Sequence, residues 1–308
     1  MASWQGAIKE KIDGWRTKRR RVNGRVEVDE LRSVFNEGAK AFGNLPRNVA
    51  VAPVDMGTVR GEWVEIEGNR SSRIILYFHG GGYIAGSPET HRPLVAKLAK
   101  AADARVLSVD YRLAPEFQYP AAVRDALDAY RWLLAGRHQP GDIVLAGDCA
   151  GGGLALAALL AIRNADLPQP AAGVALSPWA DLALAGWSLM DNRESDRMLN
   201  WEALAQCARH YLNGSNPTEA FASPVYGDFR GLPPLLIHAG SREVMRDDAS
   251  RLGQRAAAAG VNINVEVYDG MPHVFQGLSF LPEARVSLNR CGAFIKQNTN
   301  GGGRRHRD

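Results

Sequence analysis

The chain has 308 residues, of which 45% are hydrophobic and 23% charged, and a formal net charge of +4. These ordinary globular values permit a sizeable core, in one large α/β domain or two smaller ones. Basic residues cluster at 16–21 and 304–307, where neither a nucleic-acid motif nor interleaved aromatic residues accompany them. Such clusters are typical of solvated surfaces, so we expect no nucleic-acid partner.

The cysteine content and the apolar runs limit the setting in which the protein works. Three cysteines without metal-ligand spacing, Cys149, Cys207 and Cys291, argue against a disulfide framework and a zinc site. Residues 1–15 lack an apolar signal core, and the longest uninterrupted apolar run, residues 154–162, is too short to span a bilayer. We therefore expect a cytoplasmic protein without a bound metal or a membrane partner.

Hydrophobic periodicity predicts helices first and then alternating strands and helices. Helical spacing recurs in two opening segments, through Trp4, Ile8, Ile12 and Trp15 and through Leu31, Val34, Phe35 and Phe42. From about residue 60, apolar runs predict strands at 63–66, 74–78, 106–109, 143–146, 174–176, 235–238 and 265–268. Helical patterns between and after them lie at 94–102, 121–134, 154–162, 248–259 and 284–296. This alternation predicts a mostly parallel sheet covered by helices on both faces.

Residues 182–222 interrupt the alternation. They contain a predicted helix at 201–212 that no strand precedes, so we interpret them as an insertion after a strand, a position suited to a lid. Three tryptophans lie in or beside this insertion: Trp179, Trp187 and Trp201. They are candidates for a pocket wall or, as is more common for such residues, for the core of the inserted segment.

A strand-to-helix turn carries the most informative motif, Gly147-Asp148-Cys149-Ala150-Gly151. Small residues on both sides of a strained nucleophile prevent side-chain clashes, and free N–H groups at a helix start stabilise a developing oxyanion. The pattern is typical of a nucleophile elbow, where serine is the expected central residue, but here that residue is cysteine. The alternative is a buried structural cysteine, which the flanking strand and helix patterns disfavour.

A glycine-rich loop follows the strand predicted at 74–78. It reads His79-Gly80-Gly81-Gly82, and its glycines allow close backbone approach and leave N–H groups free to point inward. Together with the N–H of Ala150, these groups would complete an oxyanion hole. The alternative is a flexible loop, which the position directly after a buried strand disfavours.

A nucleophile needs a base, and the base needs an acid that orients it. His273 lies in a loop after the last predicted strand, whereas the other histidines lie in helices or at their ends, in a strand, in the glycine loop or in the tail. Glu243 follows the strand at 235–238, so the chain order is nucleophile, acid, histidine. Asp247 and Asp248 are rival acids, but their position predicts that they cap the next helix.

These motifs together resemble the bacterial hormone-sensitive-lipase family of carboxylesterases. The resemblance covers roughly residues 60–297 and is carried by His79-Gly80-Gly81-Gly82, Asp110-Tyr111-Arg112-Leu113-Ala114-Pro115-Glu116, Gly147-Asp148-Cys149-Ala150-Gly151, Leu176-Ser177-Pro178-Trp179 and Gly231-Leu232-Pro233-Pro234. It implies an α/β-hydrolase fold, with the core in residues 46–181 and 223–297. A helical cap from residues 1–45 and the 182–222 insertion, and a flexible tail at 298–308, complete the expected domain organisation.

The same resemblance assigns roles to individual residues. It implies a triad of Cys149, Glu243 and His273, although the family more often has aspartate at the position of Glu243. It places the oxyanion hole at Gly81, Gly82 and Ala150, with motif support from His79, Gly80 and Asp148. It further implies a small-molecule ester substrate with a short to medium acyl chain, no cofactor, and a possible homodimer.

Cys149 is the departure from the family, which uses serine there. Sulfur is larger than oxygen, so an oxyanion hole built for serine would be misplaced, and catalysis tolerates such displacement poorly. Conversely, a thiol near His273 and a helix N-terminus ionises readily, although the adjacent Asp148 opposes this. Both a natural cysteine variant and a replaced serine fit the sequence.

Three functions are therefore open. The first is an ester hydrolase that works through Cys149 or is impaired by it. The second is a cysteine-nucleophile enzyme of another class, either an acyltransferase or a lactone hydrolase. The third is a non-catalytic binder on the same fold, which the retained His273, Glu243 and glycine loop disfavour because a binder needs no acid–base pair.

Overall fold

The computed structural model describes residues 28–39 and 42–301. Within these residues one sheet is formed by eight strands, β1 (Val49–Asp55), β2 (Arg60–Ile66), β3 (Ile74–Phe78), β4 (Arg105–Asp110), β5 (Ile143–Asp148), β6 (Ala172–Leu176), β7 (Leu235–Gly240) and β8 (Ile263–Tyr268). The α-helices are α1 (Val28–Ala39), α2 (Pro88–Ala102), α3 (Ala121–Ala135), α4 (Ala150–Asn164), α5 (Ser188–Asp191), α6 (Trp201–Leu212), α7 (Arg246–Ala258) and α8 (Pro282–Asn298).

The sheet has the order β1-β2-β4-β3-β5-β6-β7-β8. Among the described strands, β1 pairs antiparallel with β2 and β2 with β4, and the remaining neighbours pair in parallel. The prediction of a mostly parallel sheet is therefore confirmed. In the pairing of β3 with β5, Phe78 lies opposite Gly147. This register brings the start of the glycine loop next to the turn that carries Cys149.

The centre of the sheet is buried on both faces. Every residue of β3, β5, β6 and β7 is buried, which explains why these strands are continuous apolar runs and do not alternate. Helix α4 packs on β5, β6 and α3 and is buried from Ala150 to Ile162. A helix enclosed in this way is apolar on all its sides, and its enclosure holds the turn at its start in place.

Most element bounds agree with the predictions. β3 and α6 have the predicted ends, and the other predicted elements between β2 and α8 are confirmed with ends that differ from the predicted ones by at most six residues. The strand β1 was not predicted; it is a half-exposed edge strand, and Pro53 lies within it. Of the two predicted opening helices, the second is confirmed as α1 for Leu31, Val34 and Phe35, whereas Phe42 lies beyond its end, and the first lies outside the described residues.

The insertion and the segment after α8 complete the described fold. α5 and α6 lie inside the 182–222 insertion. Beyond α8, the N–H of Asn300 donates to the carbonyl of Gly141, and residues 302–308 lie outside the described part. The domain boundaries remain predictions. Within residues 28–39 and 42–301, no helix combines the length and the apolar character that a bilayer crossing requires.

Candidate active site

Cys149 occupies a strained turn between β5 and α4. Its φ of 52° and ψ of −123° are rare for a residue with a side chain, and the side chain is 4% exposed. Backbone hydrogen bonds hold this conformation. The N–H of Cys149 donates to the carbonyl of Leu176 at 2.9 Å, and its carbonyl accepts from Gly153 at 3.1 Å and Trp179 at 2.9 Å. Such over-determined strain is typical of functional sites.

The flanking glycines are required because two backbone segments cross here without space for a side chain. A Cβ on Gly147 would lie 2.2 Å from the carbonyl oxygen of Gly151, and a Cβ on Gly151 would lie 2.0 Å from that of Phe78. The sequence argument that small residues permit the elbow is therefore supported by the observed contacts.

Gly151→Ala should lower the free energy of unfolding by about 3 kcal/mol, because the added methyl group collides with the carbonyls of Phe78 and His79. Urea denaturation of the two proteins measures the difference. Gly136→Ala is the matched control, since its φ is −71° and its nearest contact would be an ordinary 3.4 Å, so a change within about 0.5 kcal/mol is expected. Equal losses in the two variants would contradict this account of the crossing.

His273 and Glu243 form a buried pair at the ends of neighbouring strands. His273 Nδ1 lies 2.6 Å from Glu243 Oε2, and Glu243 Oε1 accepts from the N–H of Gly240 at 2.8 Å. This contact assigns the Nδ1 proton to the hydrogen bond with the carboxylate and leaves Nε2 able to accept a proton. In the described part of the chain, the buried Nε2 has no hydrogen-bond partner of ordinary geometry.

The charge balance at His273 involves Cys149 directly. Burial alone would lower the pKa of His273, but the electrostatic interaction and hydrogen bonding with Cys149, together with those of Glu243, raise it well above its ordinary value. The sulfur is thus an electrostatic neighbour of the imidazole. The structure brings the three predicted triad residues together, and it pairs the imidazole with Glu243 among the acids considered.

The rival acids hold other parts of the chain. Asp247 and Asp248 lie in the first turn of α7, as predicted, but the prediction that they cap this helix is wrong. Asp247 Oδ2 accepts from the N–H of Ser188 at 2.9 Å, and Asp248 Oδ2 accepts from the N–H groups of Ala180 and Asp181. Both carboxylates accept hydrogen bonds from the main chain that follows β6, because the N–H groups of that segment need acceptors.

Asp148 supports the glycine loop. Its Oδ1 accepts from the hydroxyl of Tyr77 at 2.6 Å and from the N–H of Gly80 at 3.1 Å, and its Oδ2 lies 3.4 Å from His91 Nε2. Burial raises the pKa of Asp148, but His91 and the Tyr77 hydrogen bond outweigh this effect and lower it. The carboxylate is therefore ionised, and its hydrogen bonds hold the start of the glycine loop at Gly80.

His79 is a structural ring within the same network. It is fully buried, stacks on Tyr111 at 4.3 Å between centroids, and has Nδ1 2.7 Å from the carbonyl of Gly80. Burial and the neighbouring charge of His91 lower the pKa of His79 to about 3. A neutral ring can donate from Nδ1 to the carbonyl of Gly80, and it thereby orients the loop.

The predicted oxyanion donors lie at the expected turn and helix start. Gly81 and Gly82 have φ values of 124° and 64°, which favour glycine. A Cβ on Gly81 would lie 2.1 Å from the carbonyl oxygen of Ala85. Among the described residues no acceptor is bonded to the N–H groups of Gly81, Gly82 or Ala150. Three free donors at the two turns next to Cys149 fit the predicted oxyanion hole, whose role remains a prediction.

Comparison with known proteins identifies the family. A profile described as alpha/beta hydrolase fold matches residues 75–277, which is about two thirds of the chain. This chain belongs to the alpha/beta hydrolase fold family. Within it, the chain is 44% identical to an acetyl-hydrolase of Streptomyces hygroscopicus, over 96% of this chain and 97% of that relative.

Other members of the alpha/beta hydrolase fold family are similar over most of their length. An esterase of Acinetobacter venetianus is 36% identical, over 86% of this chain and 87% of the relative. A crystal structure of an esterase from the bacterial hormone-sensitive lipase family superposes with a TM-score of 0.91 at 41% identity, covering 97% of this chain and 99% of that one. The predicted fold class is thereby confirmed.

Several side chains that support this alpha/beta hydrolase site were missed by sequence reasoning. The hydroxyl of Ser177 accepts from the N–H of Val274, next to His273, at 3.0 Å. Asn192 and Asp196, in the insertion, bond to the backbone around Glu243. The Leu-Ser-Pro-Trp motif was a signal for Ser177, whereas nothing local marks Asn192 or Asp196.

The tryptophans and the remaining thiols have separate environments. Trp179 is fully buried, whereas Trp187 and Trp201 are 78% and 52% exposed, so neither of the latter belongs to a packed core among the described residues. All three cysteines are free and buried. Within the described ranges, no group of three or more histidine, cysteine and acidic side chains is arranged to hold a metal ion.

Proposed function

We propose that the protein hydrolyses carboxylic esters with short to medium acyl chains through an acyl-enzyme on Cys149. The observation that carries the proposal is the 2.6 Å contact of His273 Nδ1 with Glu243, which leaves the buried Nε2 available to take a proton beside a strained elbow residue. The relatives named as esterases and an acetyl-hydrolase support the reaction class.

The acylation half-reaction begins with a proton transfer. His273 Nε2 takes the proton of the Cys149 thiol, and the thiolate attacks the carbonyl carbon of the ester. The resulting oxyanion accepts hydrogen bonds from the N–H groups of Gly81, Gly82 and Ala150. When the tetrahedral intermediate collapses, the C–O bond breaks, and the departing alkoxide receives the proton from His273. A thioester remains on the sulfur.

Deacylation uses the same groups in reverse. His273 takes a proton from water, and the hydroxide attacks the thioester carbonyl. Collapse of the second intermediate breaks the C–S bond, releases the carboxylic acid, and returns the proton to the sulfur. Glu243 orients the ring and stabilises the imidazolium in both steps, which is why its carboxylate is buried and bonded on both oxygens.

Acyl transfer is the second candidate function, and the sulfur at the elbow favours it. A thioester is an acyl donor to any nucleophile that reaches it, so an amine or alcohol can take the place of water. Hydrolysis of a lactone would follow the same steps with the leaving group still tethered. A binder on this fold would require neither a free Nε2 nor an orienting carboxylate.

Acyl-enzyme formation is the test of the proposal. With p-nitrophenyl butyrate, we expect a burst of p-nitrophenol that matches the protein concentration, and a butyryl group on the peptide that contains Cys149 by mass spectrometry. Cys207→Ser and Cys291→Ser are controls that should keep the burst, since both thiols are buried and free outside the triad. Cys149→Ala should abolish it.

The same experiment separates the candidate functions. Free butyric acid as the product supports hydrolysis, whereas a preferred butyramide in the presence of an added primary amine identifies the transferase. Absence of the adduct, together with failure of Cys149 to react with iodoacetamide, would overturn both enzyme functions and favour a binder.

A further inference from the structure

The loop that carries Glu243 is held by side chains of the insertion. We call residues 188–199 the clamp segment; it includes α5 and lies between β6 and α6. Four consecutive carbonyls of the loop accept hydrogen bonds from this segment. The pairs are Ser241 with Asn192 Nδ2 at 3.0 Å, Arg242 with Ser195 Oγ at 3.0 Å, Glu243 with Asn192 Nδ2 at 2.8 Å and Val244 with Ser188 Oγ at 2.6 Å.

One peptide group is bonded on both of its polar atoms. Asn192 Nδ2 donates to the carbonyl of Glu243, and Asp196 Oδ2 accepts from the N–H of Val244 at 2.9 Å. This carbonyl and this N–H belong to the same planar peptide group. Because the group is rigid, the two bonds together determine its orientation, and with it the direction in which the main chain leaves Glu243.

The buried carboxylate of Asp196 bonds both within the clamp segment and to the loop of Glu243. Its Oδ1 accepts from the N–H groups of Met198 and Leu199, which completes a turn within the clamp segment. Its Oδ2 is used only for Val244 among the described residues, and the side chain is 3% exposed. Burying a carboxylate costs free energy unless it is fully bonded, so the bond to Val244 offsets part of that cost.

Asp196 also lies close enough to the triad to influence its charges. Burial raises the pKa of Asp196, and the positive charge of a protonated His273 opposes that rise. The acid of the triad is a glutamate, which has one more rotatable bond than aspartate and depends more on its backbone for position. Its Oε1 accepts a hydrogen bond from the N–H of Gly240. The orientation of the peptide group after Glu243 is then the remaining variable that determines where the carboxylate lies.

We propose that Asn192 and Asp196 are positioning residues that orient the peptide after Glu243, so that the carboxylate meets His273, and that they thereby couple the insertion to the triad. The kinetic consequence rests on the proposed function. The structural consequence, a weaker contact between Glu243 and His273 when the clamp is broken, does not.

Asp196→Asn breaks the clamp at one atom. The amide is isosteric and its oxygen can still accept from Met198 and Leu199, but its NH2 group then faces the N–H of Val244, and two donors cannot bond. In the Cys149→Ser background we expect kcat for p-nitrophenyl butyrate to fall about tenfold to a hundredfold with little change in KM.

Asp181→Asn is the matched control. Asp181 is also buried in this region, and its two oxygens accept from the N–H groups of Ala183 and Ala185, but it does not bond to the loop of Glu243. We expect it to lower stability and to leave kcat unchanged. Asn192→Ala, a second variant at the opposite side of the same peptide group, should reproduce the loss of kcat. An equal loss of kcat in Asp181→Asn, or a rise in KM alone in Asp196→Asn, would overturn the proposal.

A double-mutant cycle separates positioning from general structural damage. If Asp196 acts through Glu243, Asp196→Asn should change kcat less than twofold once Glu243→Gln is present. Additive losses in kcat would mean that Asp196 acts by another route and would overturn the proposal.

A spectroscopic measurement tests the clamp even if no ester is hydrolysed. The downfield imidazole N–H resonance of His273, which reports the hydrogen bond to Glu243, should move upfield or broaden in Asp196→Asn and Asn192→Ala and stay unchanged in Asp181→Asn. An unmoved resonance in the first two variants would overturn the clamp, whereas lost ester hydrolysis in every variant with the resonance shifted as expected would contradict the proposed function alone.

Discussion

Cys149→Ser should raise kcat/KM for p-nitrophenyl butyrate by about a hundredfold. The proposed oxyanion donors belong to closely packed main chain, because a Cβ on Gly81 or Gly151 would lie 2.1 Å or 2.0 Å from a carbonyl oxygen. A nucleophile with a longer bond to Cβ therefore places the developing oxyanion away from these donors. Serine, with its shorter bond to Cβ, should place the oxyanion closer to these donors.

Two measurements decide this prediction. For esters of increasing acyl length, the serine variant should exceed the parent by the same factor, since the change lies at the reacting carbonyl and not in the acyl pocket. Pre-steady-state kinetics should show that the gain is in the chemical steps. Equal or lower activity in Cys149→Ser would mean that the site is built for sulfur, and it would favour the transferase as the function.

His273→Gln should lower kcat in the serine background roughly ten-thousandfold, because it removes the base that both half-reactions need. The ring lies between the elbow and Glu243, and no other histidine of the described residues contacts this carboxylate. The residual rate would come from the oxyanion donors and from binding alone.

His238→Gln is the control for this effect. His238 is a second buried histidine close to an acid, with Nε2 3.7 Å from Glu266 Oε2 and Nδ1 bonded to Ser287, and it lies outside the triad. We expect it to lower stability and to leave kcat within about twofold of the parent. If the two glutamine variants lost activity equally, the loss in His273→Gln would reflect damage to packing, and the assignment of the base would fail.

The site is assembled from strand ends that meet at one edge of the sheet. Cys149 follows β5, the glycine loop follows β3, and the acid and the base follow β7 and β8. In a parallel sheet these carboxyl ends lie along the same edge, so residues that are far apart in sequence become neighbours without long side chains. The strain at Cys149 is held by bonds to the main chain around β6, which lies beside β5.

Much of this arrangement was predictable because its signals are local. Glycine at positions 147 and 151 and a helical pattern directly after them indicate a crossing of backbones at the elbow. Apolar runs without alternation indicate strands buried on both faces. The position of a lone histidine after the last strand indicates the base. Each of these inferences depends on a few adjacent residues. The crossing and the buried strands agree with the structure, and the role of the histidine as the base remains a prediction.

The parts that were not predicted depend on partners distant in sequence. The carboxylates of Asp247 and Asp248 occupy the first turn of a helix, where capping was expected, but they bond to main chain more than fifty residues away. Strand β1 lies at a half-exposed edge and contains Pro53, a residue that weakens the prediction of a strand, so only its pairing with β2 shows that it belongs to the sheet. Trp187 is a large apolar residue, yet it is exposed, and the type of the residue alone does not indicate this exposure.

The order of strands, turns and helices was determined by the amino-acid sequence itself, as were the positions of the proposed nucleophile, the glycine loop and the proposed base, since steric and hydrophobic preferences act over a few residues. Tertiary structure alone decided that Asp247 and Asp248 bond to the chain that leaves β6 and that Asn192 and Asp196 bond to the peptide after Glu243. Hydrogen bonds between segments depend on which donors the packed fold leaves unpaired, and that is a property of the whole chain.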